Sequence, residues 1–306
     1  MTLEQLQDAR VAVLQGGDSP EREVSLMSGA SVEAALQELG VATIAVDTAL
    51  PRWWNQLQQI DLAFICLHGP GGEDGVVQGA LETMAIPYTG SGVLASALAM
   101  DKLRSKRLWR GIGLATQDFE ELAVDSDWQA VIDRLGSVFV KPATGGSSIG
   151  TAGANTAESL AAAWQQAAQY GDRVIAERLI EGGEYTVAIL DGQALPAIKM
   201  ETDNEFYDYQ AKYLSDATRY LCPCGLSSSE EAELAQLALL AFESLGCAGW
   251  GRVDFMRDQQ GNSWVLEVNT VPGMTHHSLV PMAAAARGLS LPELVGRIAC
   301  LSLVRN

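Results

Sequence analysis

The sequence predicts an N-terminal α/β domain built on a mainly parallel sheet, followed farther along the chain by an antiparallel hairpin. Over the first 92 residues, short apolar runs alternate with helical patterns, which is typical of βαβ units and a mainly parallel sheet. Farther along, two β-branched and aromatic runs flank the turn sequence DQQGN and predict an antiparallel hairpin within residues 249–278. A chain of 306 residues is long enough for two or three domains, each with its own core.

The N-terminal domain is predicted from three strands and two helices. The strands are RVAVLQGG, VATIAVD and DLAFICLHG, and the helices are EVSLMSGASVEAALQELG and GVVQGALETMAI, with the domain ending near YTGSG. Ligands of parallel sheets lie at the carboxyl ends of the strands, where the polar loops GGDSPEREVS and LHGPGGEDG follow. Glu21 in the first loop suits an ammonium group, although an acid that only favours the helix dipole is more common. His68 in the second loop is, by position alone, more often a structural histidine.

One long helix is predicted over GVLASALAMDKLRSKRLWRGIG, and its second half is basic. The cations of this half are Lys102, Arg104, Lys106, Arg107 and Arg110. Such a cluster stands out in an acidic protein, but a solvated helical face with ion-pair partners nearby is its most common role.

A strand lysine followed by a Gly-Ser loop forms the next informative stretch, SVFVKPATGGSSIGTAG. Lys141 ends a β-branched run, and the loop after it contains Ser147 and Ser148 between glycines. Backbone N–H groups of such a loop can fold over phosphates while the lysine supplies charge. A Walker A loop is excluded, because it would need Gly-Lys-Ser/Thr at the start of a helix. A plain flexible hairpin tip would explain the glycines but not the adjacent lysine.

In the middle of the chain, a helix is predicted over TAESLAAAWQQAAQYG. Two strands around a Gly-Gly turn follow in RVIAERLIEGGEYTVAIL, and they contain Glu177 and Glu184. Another strand, ALPAIKM, precedes ETDNEFYDYQAKYLSDATRYLCPCGL, which has no clear period and is rich in aromatic residues around Lys212. A loop of this length in a compact domain is usually functional or disordered, and the aromatic content favours a lid. A capped amphipathic helix, SSSEEAELAQLALLAFESLG, leads to the hairpin.

The hairpin is predicted to place two carboxylates together. If the turn centres on Gln260-Gly261, Asp254 lies opposite Glu267, because each is equally far from that centre. By the same count Arg252 lies opposite Asn269 on that face, while the apolar face pairs Val253 and Phe255 with Val268 and Leu266. Like charges across a ladder repel, and Mg²⁺ would remove the conflict because it prefers carboxylate and carbonyl oxygens. The hairpin alone leaves open a solvated face that Arg252 neutralises.

Two helices are predicted after the hairpin, SLVPMAAAARG and LSLPELVGRIACLSLV. The first begins at Ser278, and its N-terminus favours an anion near whatever the hairpin holds.

Composition narrows the classes of function. Apolar residues make up 48% and charged residues 19% of the chain, as in ordinary globular proteins. The net charge of −18 argues against binding to a nucleic-acid backbone. The five cysteines form no CxxC pair, which favours reduced thiols in a cytoplasmic protein. The polar start MTLEQLQDAR is no signal peptide, and no apolar run approaches the length of a membrane span.

Seven motifs in order resemble the D-alanine–D-alanine ligases of the ATP-grasp superfamily. They are GGDSPEREVSLMSG, LHGPGGEDGVVQG, PYTGSGVLASALAMDKLRSK, VKPATGGSSIG, YDYQAKYLS, GWGRVDFM and LEVNTVPGMTHHSLVP. The resemblance implies a fold of combined α/β and α+β class. Its parts would be an N-terminal parallel-sheet α/β domain with the first substrate site (1–92), a central ATP-grasp domain with the Gly-Ser loop (93–179) and a C-terminal ATP-grasp domain with the lid and the metal hairpin (180–306). It implies a cytoplasmic homodimer that joins two D-alanines through an acyl phosphate for peptidoglycan synthesis. ATP and two Mg²⁺ ions, or Mn²⁺ in their place, would be the cofactors.

The resemblance also implies a role for each matching residue. Metal ions would be held by Asp254, Glu267 and Asn269. Nucleotide would be bound by Lys102, Lys141, Ser148, Glu177, Leu179, Ile180, Glu184, Phe206 and Lys212. The amino acids would be bound by Glu21, His68, Arg252, Gly273, Ser278 and Leu279. Within that set Arg252 and Gly273 would stabilise the oxyanion, while a hydrogen-bonded set would keep the lid shut: Glu21, Ser147 and Tyr213.

Two alternatives remain open at this stage. One is a ligase of the same fold that makes D-alanyl-D-lactate or joins another carboxylate and amine, although the lid sequence AKY favours the dipeptide within the family. The other is a nucleotide-binding regulator that has lost catalysis. A degenerate site would normally have lost one of its charged residues, and here all of them are present. Gln210 and the sequence ATGG depart from the family pattern and bear on loop dynamics and nucleotide affinity.

Overall fold

A computed structural model describes residues 3–146, 149–201 and 219–302. Its first sheet is fully parallel, with β1 in the middle. The strands of this sheet are β1 (Arg10–Gln15), β2 (Ala42–Asp47) and β3 (Leu62–Ile65). The helices around it are α1 (Leu3–Gln7), α2 (Arg22–Glu38), a 3₁₀ helix (Trp53–Leu57) and α3 (Val76–Thr83). The predicted parallel sheet is therefore confirmed, and α1 is an addition that the polar N-terminal sequence did not suggest.

The predicted long helix is wrong, because two helices stand in its place: α4 (Val93–Met100) and α5 (Lys102–Gly111). Asp101 between them has an extended backbone (φ −91°, ψ 95°), and its carboxylate accepts a hydrogen bond from the N–H of Arg104 at 2.9 Å. It is therefore the N-cap of α5, and the chain turns where sequence periodicity alone continues.

The second sheet is antiparallel, in the order β4-β7-β5-β6. Its strands are β4 (Phe119–Leu122), β5 (Val138–Pro142), β6 (Ala152–Ala154) and β7 (Val174–Arg178). Two helices, α6 (Trp128–Leu135) and α7 (Ala157–Ala167), pack on it around a small core of their own.

The third sheet is also antiparallel, in the order β11-β10-β8-β12-β13, with β9 beside β8. Its strands are β8 (Gly182–Leu190), β9 (Gln193–Ala194), β10 (Ile198–Glu201), β11 (Arg219–Leu221), β12 (Trp250–Asp258) and β13 (Ser263–Asn269). Helix α8 (Ser228–Ser244) covers it and begins with the predicted cap, a capping box of Ser227 and Glu230.

The predicted Gly-Gly turn is wrong, since both glycines lie inside β8 and β7 belongs to a different sheet. A Cβ atom on Gly182 would lie 1.9 Å from the carbonyl oxygen of Arg257. Glycine is needed there so that the backbones of β8 and β12 can approach each other. The two glycines that suggested a turn are therefore explained by a close contact between strands.

The hairpin register is confirmed on the polar face and wrong on part of the apolar face. Asp254 pairs with Glu267 and Arg252 with Asn269, as predicted. Phe255 pairs with Val265 instead of Leu266, because the register shifts by one residue after Asp254. An extra residue in one strand is a β-bulge, which symmetric counting from the turn cannot detect.

The last two helices, α9 (Leu279–Ala286) and α10 (Leu291–Ser302), return to the first sheet, where residues such as Leu294 and Ile298 share its core. The domain boundaries at 92/93 and 179/180 stay predictions. Within the ranges that the structure describes, none of the helices has the length and apolar character needed to span a membrane.

Candidate active site

An open cleft lies where loops from all three sheets meet, with about 610 Å³ of empty space. Seven of the residues predicted for the site line it: Glu21, His68, Lys102, Arg252, Glu267, Asn269 and Gly273. They come from chain segments far apart in sequence, so folding brings together what the motifs only suggested.

The polar face of the hairpin forms one wall, and Asp254 is at its centre. Arg252 holds this carboxylate with two hydrogen bonds, from Nε to Oδ1 and from Nη2 to Oδ2, both 2.8 Å long. Thr186 on β8 donates to Oδ1 at 2.6 Å, and Asn269 donates its amide N–H to Oδ2 at 2.9 Å. Asp254 is 5% exposed, so these charge-assisted bonds fix a nearly buried carboxylate.

Glu267, on the neighbouring strand, is linked to the Gly-Ser loop through Lys102. The Lys102 ammonium lies 3.2 Å from Oε2 of Glu267 and donates to the carbonyl oxygen of Gly145 at 2.6 Å. Its backbone N–H is held by the carbonyl of Ala143 at 2.8 Å. Lys102 therefore joins the hairpin to the start of the loop that was predicted to cover phosphates.

A second charged group lies deeper, between α5 and the second sheet. Lys141 places its ammonium 2.8 Å from Oε2 of Glu177, and Lys106 approaches Oε1 at 3.4 Å. Burial alone would raise the pKa of Glu177, but Lys106 and Lys141 outweigh it and lower the pKa. Burial opposes the charge of Lys141, yet Glu177, Glu267 and Glu184 raise its pKa. The group therefore consists of two cations around one carboxylate at neutral pH.

Lys106 is the cation of α5 whose position differs from the solvated face expected from the sequence. A solvated face was the more common role for this helix, but Lys106 is completely buried and packs toward the second sheet. Its neighbour Arg107 does lie at the surface, paired with Glu121. The spacing along the helix could have indicated this burial, because Lys106 lies one turn after the apolar Leu103 on the same side of the helix.

Glu21 closes the opposite wall, 6% exposed, immediately before α2. A Cβ atom on Gly146 would lie 3.0 Å from its Oε2, and one on Gly69 would lie 2.5 Å from the same oxygen. Two glycines from different loops therefore let backbone approach this carboxylate closely. A buried carboxylate in a polar cleft is suited to an ammonium ligand, as predicted from its position.

Glu73 is a cleft residue to which the sequence analysis gave no role. Burial, followed by the nearby charge of Glu21, raises the pKa of Glu73 to about 8, and the N–H of Gly69 donates to its Oε2 at 2.8 Å. At neutral pH it is a neutral carboxylic acid beside Glu21. The available signal was an acid in a glycine-rich loop after a buried strand, the same context as Glu21.

His68 is buried and holds two segments together. Its Nδ1 lies 2.9 Å from the carbonyl oxygen of Val271, so it carries the proton and donates. Its Nε2 then accepts from the hydroxyl of Ser28 at 3.1 Å, and that hydroxyl oxygen accepts the N–H of Met274 at 3.1 Å. Burial lowers the pKa of His68 to about 4, so the ring is neutral. His68 thereby fixes the segment that carries Gly273.

Gly273 and Ser278 lie together at the end of this segment. A Cβ atom on Gly273 would come within 2.8 Å of the Ser278 hydroxyl oxygen, so a larger residue would require this hydroxyl to move. The same hydroxyl accepts the N–H of Thr275 at 3.0 Å, which orders the turn before α9. The side chain of Leu279 is buried in the core, which leaves its backbone for the predicted contact with a ligand.

The residues predicted to hold adenine and ribose surround the link between the second and third sheets. Leu179 and Ile180 line a separate cleft together with Asp258 and Trp264. The N–H of Leu179 already donates to the carbonyl of Ser137 at 2.8 Å. Five predicted residues lie outside the described part of the chain: Ser147, Ser148, Phe206, Lys212 and Tyr213.

The polar face of the hairpin fits a metal ion that is held partly by protein side chains and partly by phosphate oxygens of a bound nucleotide. Among the described residues, no three His, Cys, Asp or Glu side chains lie close enough to hold a metal alone. Glu267 instead offers a carboxylate, and Asn269 keeps its Oδ1 for a metal because its Nδ2 binds Asp254. Asp254 would bind the metal by exchanging one of its four hydrogen bonds for it. Mg²⁺ is commonly held by one or two carboxylates with water and substrate phosphates completing its shell.

Comparison with known proteins identifies the family. The chain matches a family model described as the D-ala D-ala ligase C-terminus over residues 108–299, and one described as the N-terminus over residues 52–91. A D-alanine–D-alanine ligase from Saccharophagus degradans is 55% identical over 301 residues, covering 96% of this chain and 95% of that protein. One from Alkalilimnicola ehrlichii is 57% identical over 290 residues, covering 94% and 93%.

Solved structures agree with the sequence relatives. The D-alanine–D-alanine ligase from Bacillus anthracis superposes with a TM-score of 0.87 at 36% identity, covering 96% of this chain and 97% of that one. A D-alanine–D-alanine ligase from Bacillus anthracis complexed with ATP gives a TM-score of 0.86 at 33% identity, covering 96% of this chain and 97% of that one. These likenesses confirm the predicted fold class, an α/β domain followed by an ATP-grasp clamp. The chain belongs to the D-alanine–D-alanine ligase family.

Proposed function

We propose that this chain joins two molecules of D-alanine into D-alanyl-D-alanine and converts ATP to ADP and phosphate. The observation that carries the proposal is the polar face of the hairpin, where Asp254 and Glu267 lie opposite each other between Arg252 and Lys102. Relatives at 54–57% identity are named for this reaction, and a structural neighbour is complexed with ATP.

The proposed reaction has two steps. An oxygen of the first D-alanine carboxylate attacks the γ-phosphorus, and ADP leaves with the electrons of the broken P–O bond. The amine of the second D-alanine then attacks the acyl phosphate carbon. The tetrahedral intermediate expels phosphate, the amine loses a proton, and a peptide bond remains. Both steps increase negative charge on oxygen, so they need positive groups fixed in advance.

Nucleotide phosphates are proposed to bind between the hairpin and the Gly-Ser loop. Lys102 and Lys141 would neutralise the negative charge of the phosphates. Lys212 in the predicted lid would add a third positive charge. Asp254, Glu267 and Asn269 would hold Mg²⁺, two ions in the full proposal, with Mn²⁺ able to replace it. When bound, the metal would polarise phosphate oxygens and reduce the charge that the attacking carboxylate must approach.

Glu177 and Glu184, with the backbone at Leu179 and Ile180, are proposed to hold adenine and ribose. Burial opposes the charge of Lys141, but Glu177, Glu267 and Glu184 together raise its pKa, so Glu184 and Glu177 act on the same lysine. Ser148 and Phe206 belong to the same nucleotide proposal.

The first D-alanine is proposed to bind Glu21 through its ammonium, with Arg252 and the N–H of Gly273 at the developing oxyanion. Ser278 and the backbone at Leu279 would receive the carboxylate of the second. Both substrates then meet at the cleft wall that His68 fixes. Glu21, Ser147 and Tyr213 would hold the lid closed, which excludes the water that would hydrolyse an acyl phosphate.

The setting of the reaction is part of the proposal. The dipeptide would serve peptidoglycan synthesis in the cytoplasm, and the chain would act as a homodimer, with residues 1–92, 93–179 and 180–306 as its three domains. Light scattering on the purified protein measures the oligomeric state directly.

Phosphate release tests the proposal. With ATP and Mg²⁺, D-alanine should stimulate release strongly, while L-alanine at the same concentration should give little above the rate without amino acid. Phosphate release with D-alanine plus D-lactate but not with D-alanine alone would instead indicate a ligase that makes D-alanyl-D-lactate. ATP binding without turnover of any pair would replace the ligase with a regulator.

A further inference from the structure

Lys106 is a buried cation that is surrounded by polar acceptors and does not line the cleft. The side chain is completely buried, and its ammonium contacts three acceptors: Thr116 Oγ1 at 2.8 Å, Gln117 Oε1 at 2.6 Å and Glu177 Oε1 at 3.4 Å. Two of its N–H groups donate hydrogen bonds, to Thr116 and Gln117, and the ammonium also forms an ion pair with Glu177. A buried lysine is costly, and the full set of partners shows that this part of the fold is organised around its charge.

The acceptors are themselves fixed. Thr116 and Gln117 are 7% and 4% exposed, and the Thr116 hydroxyl donates to the carbonyl oxygen of Val265 on β13 at 2.8 Å. Lys106 is therefore connected through Thr116 to β13, the strand that carries Glu267, as well as to the second sheet. It cannot turn toward the cleft without leaving all three partners.

Glu177 receives one cation on each carboxylate oxygen, and the two cations differ in freedom. Lys106 is completely buried at Oε1, whereas the Lys141 side chain at Oε2 is 17% exposed and lies at the end of β5 beside the Gly-Ser loop. Lys141 is the one that can exchange Glu177 for a phosphate. When it does, Lys106 is the cation that stays.

We propose that Lys106 is a positioning residue of the nucleotide site, which keeps Glu177 ionised and in place while Lys141 turns from Glu177 to the phosphates. Without Lys106, the movement of Lys141 would leave a buried carboxylate with no cation in direct contact and only the more distant charge of Lys102, which opposes the movement. The inference rests on the proposed nucleotide site and adds a residue that would never contact the nucleotide.

The charged groups around Lys106 support this role. Glu177 on β7 and Glu267 on β13 favour its charge, and Lys141 on β5 opposes it. Burial, the largest effect, lowers the pKa of Lys106 to about 8. Lys106 is therefore charged at pH 7 and mostly neutral at pH 9, and the proposed role should be lost over this interval.

Nucleotide binding without amino acid is the direct test, measured by calorimetry with ATP and Mg²⁺. Lys106→Met keeps the length and removes the charge, and Arg107→Met is the matched control one residue away at the surface. We expect the Kd of Lys106→Met to rise by about 10- to 100-fold, about 1.4 to 2.8 kcal/mol, and that of Arg107→Met to stay within about twofold. The KM for D-alanine should change much less than the KM for ATP. Unchanged ATP affinity in a folded Lys106→Met protein would overturn the inference.

A pH series separates this role from a purely structural one. Between pH 7 and 9 the Kd of the wild type should rise by up to about tenfold, whereas Lys106→Met and Lys106→Arg should show no such rise, because neither titrates there. Glu73 also has a pKa of about 8, but it is present in all three proteins and cancels. Either variant suffices if the other does not fold. A rise of equal size in the wild type and the variants would overturn the inference, while a wild type that binds no ATP would refute the proposed function itself.

Discussion

The guanidinium of Arg252 holds the carboxylate of Asp254 two residues along the same strand, through two hydrogen bonds of 2.8 Å. The proposed function gives these residues different duties, one at the reacting carbonyl and one at the metal. Because they form one hydrogen-bonded unit, the geometry of each depends on the other. A change at either position should therefore affect both substrate and metal requirements.

Arg252→Lys should reduce turnover by about 10²- to 10³-fold, the loss typical of removing one oxyanion donor. Lysine keeps the charge but cannot make the paired contact to Asp254. The Mg²⁺ concentration for half-maximal activity should rise as well, measured by titrating Mg²⁺ at saturating ATP. Arg257→Lys is the control on the same strand, since Arg257 pairs with Glu230 away from the cleft. Equal effects of the two variants would contradict a specific role for Arg252.

Glu267→Gln should reduce turnover by about 10³-fold or more while changing thermal stability little, since the amide keeps the size but loses the charge for a metal. Turnover and Tm are measured on the same preparation. Glu120→Gln, on a strand at the surface and paired with Arg134, is the control. Near-normal turnover of Glu267→Gln would rule out the metal assignment.

Glu73→Gln should stabilise the protein above neutral pH. The folded pKa of about 8 lies above the ordinary value of 4.5, so folding favours the protonated acid. Its contribution to stability is complete below pH 4.5 and is lost as the pH rises to about 8. Glutamine mimics the neutral acid and does not titrate. Chemical denaturation at pH 5 and pH 8 should show a growing advantage of the variant, and the exposed Glu38→Gln should show none; a variant less stable at pH 8 would contradict this.

His68→Gln should change the acid side of the stability profile. The folded pKa of about 4 lies below the ordinary 6.5, so the contribution of the neutral ring is present above pH 6.5 and is lost as the pH falls toward 4. The wild type should lose about 2 kcal/mol between pH 7 and pH 5 through this residue alone. Denaturation of both proteins at the two pH values measures the difference. An identical loss in His68→Gln would show that His68 does not cause it.

The sequence was most informative where local rules decide the structure. Alternation and turn chemistry placed Asp254 opposite Glu267 and Arg252 opposite Asn269, because pairing near a hairpin turn follows from counting. The cap of α8 was predictable for the same reason, since Ser227 and Glu230 interact within one turn.

Local rules failed where tertiary contacts decide. The β-bulge after Asp254 depends on packing between strands, and Gly182 is needed because β12 approaches it, which the sequence of β8 does not reveal. Lys106 looked like one cation of a surface face because its partner Glu177 lies 71 positions farther along the chain. Glu73 went unnoticed since its raised pKa requires burial and the neighbouring Glu21.

The most direct measurement of the central claim is the ratio of dipeptide formed to phosphate released, with D-alanine, ATP and Mg²⁺ as the only reactants. Mass spectrometry quantifies D-alanyl-D-alanine in the same samples in which phosphate is determined. The proposed function predicts one dipeptide for each phosphate at every time point. Phosphate released without dipeptide would contradict it.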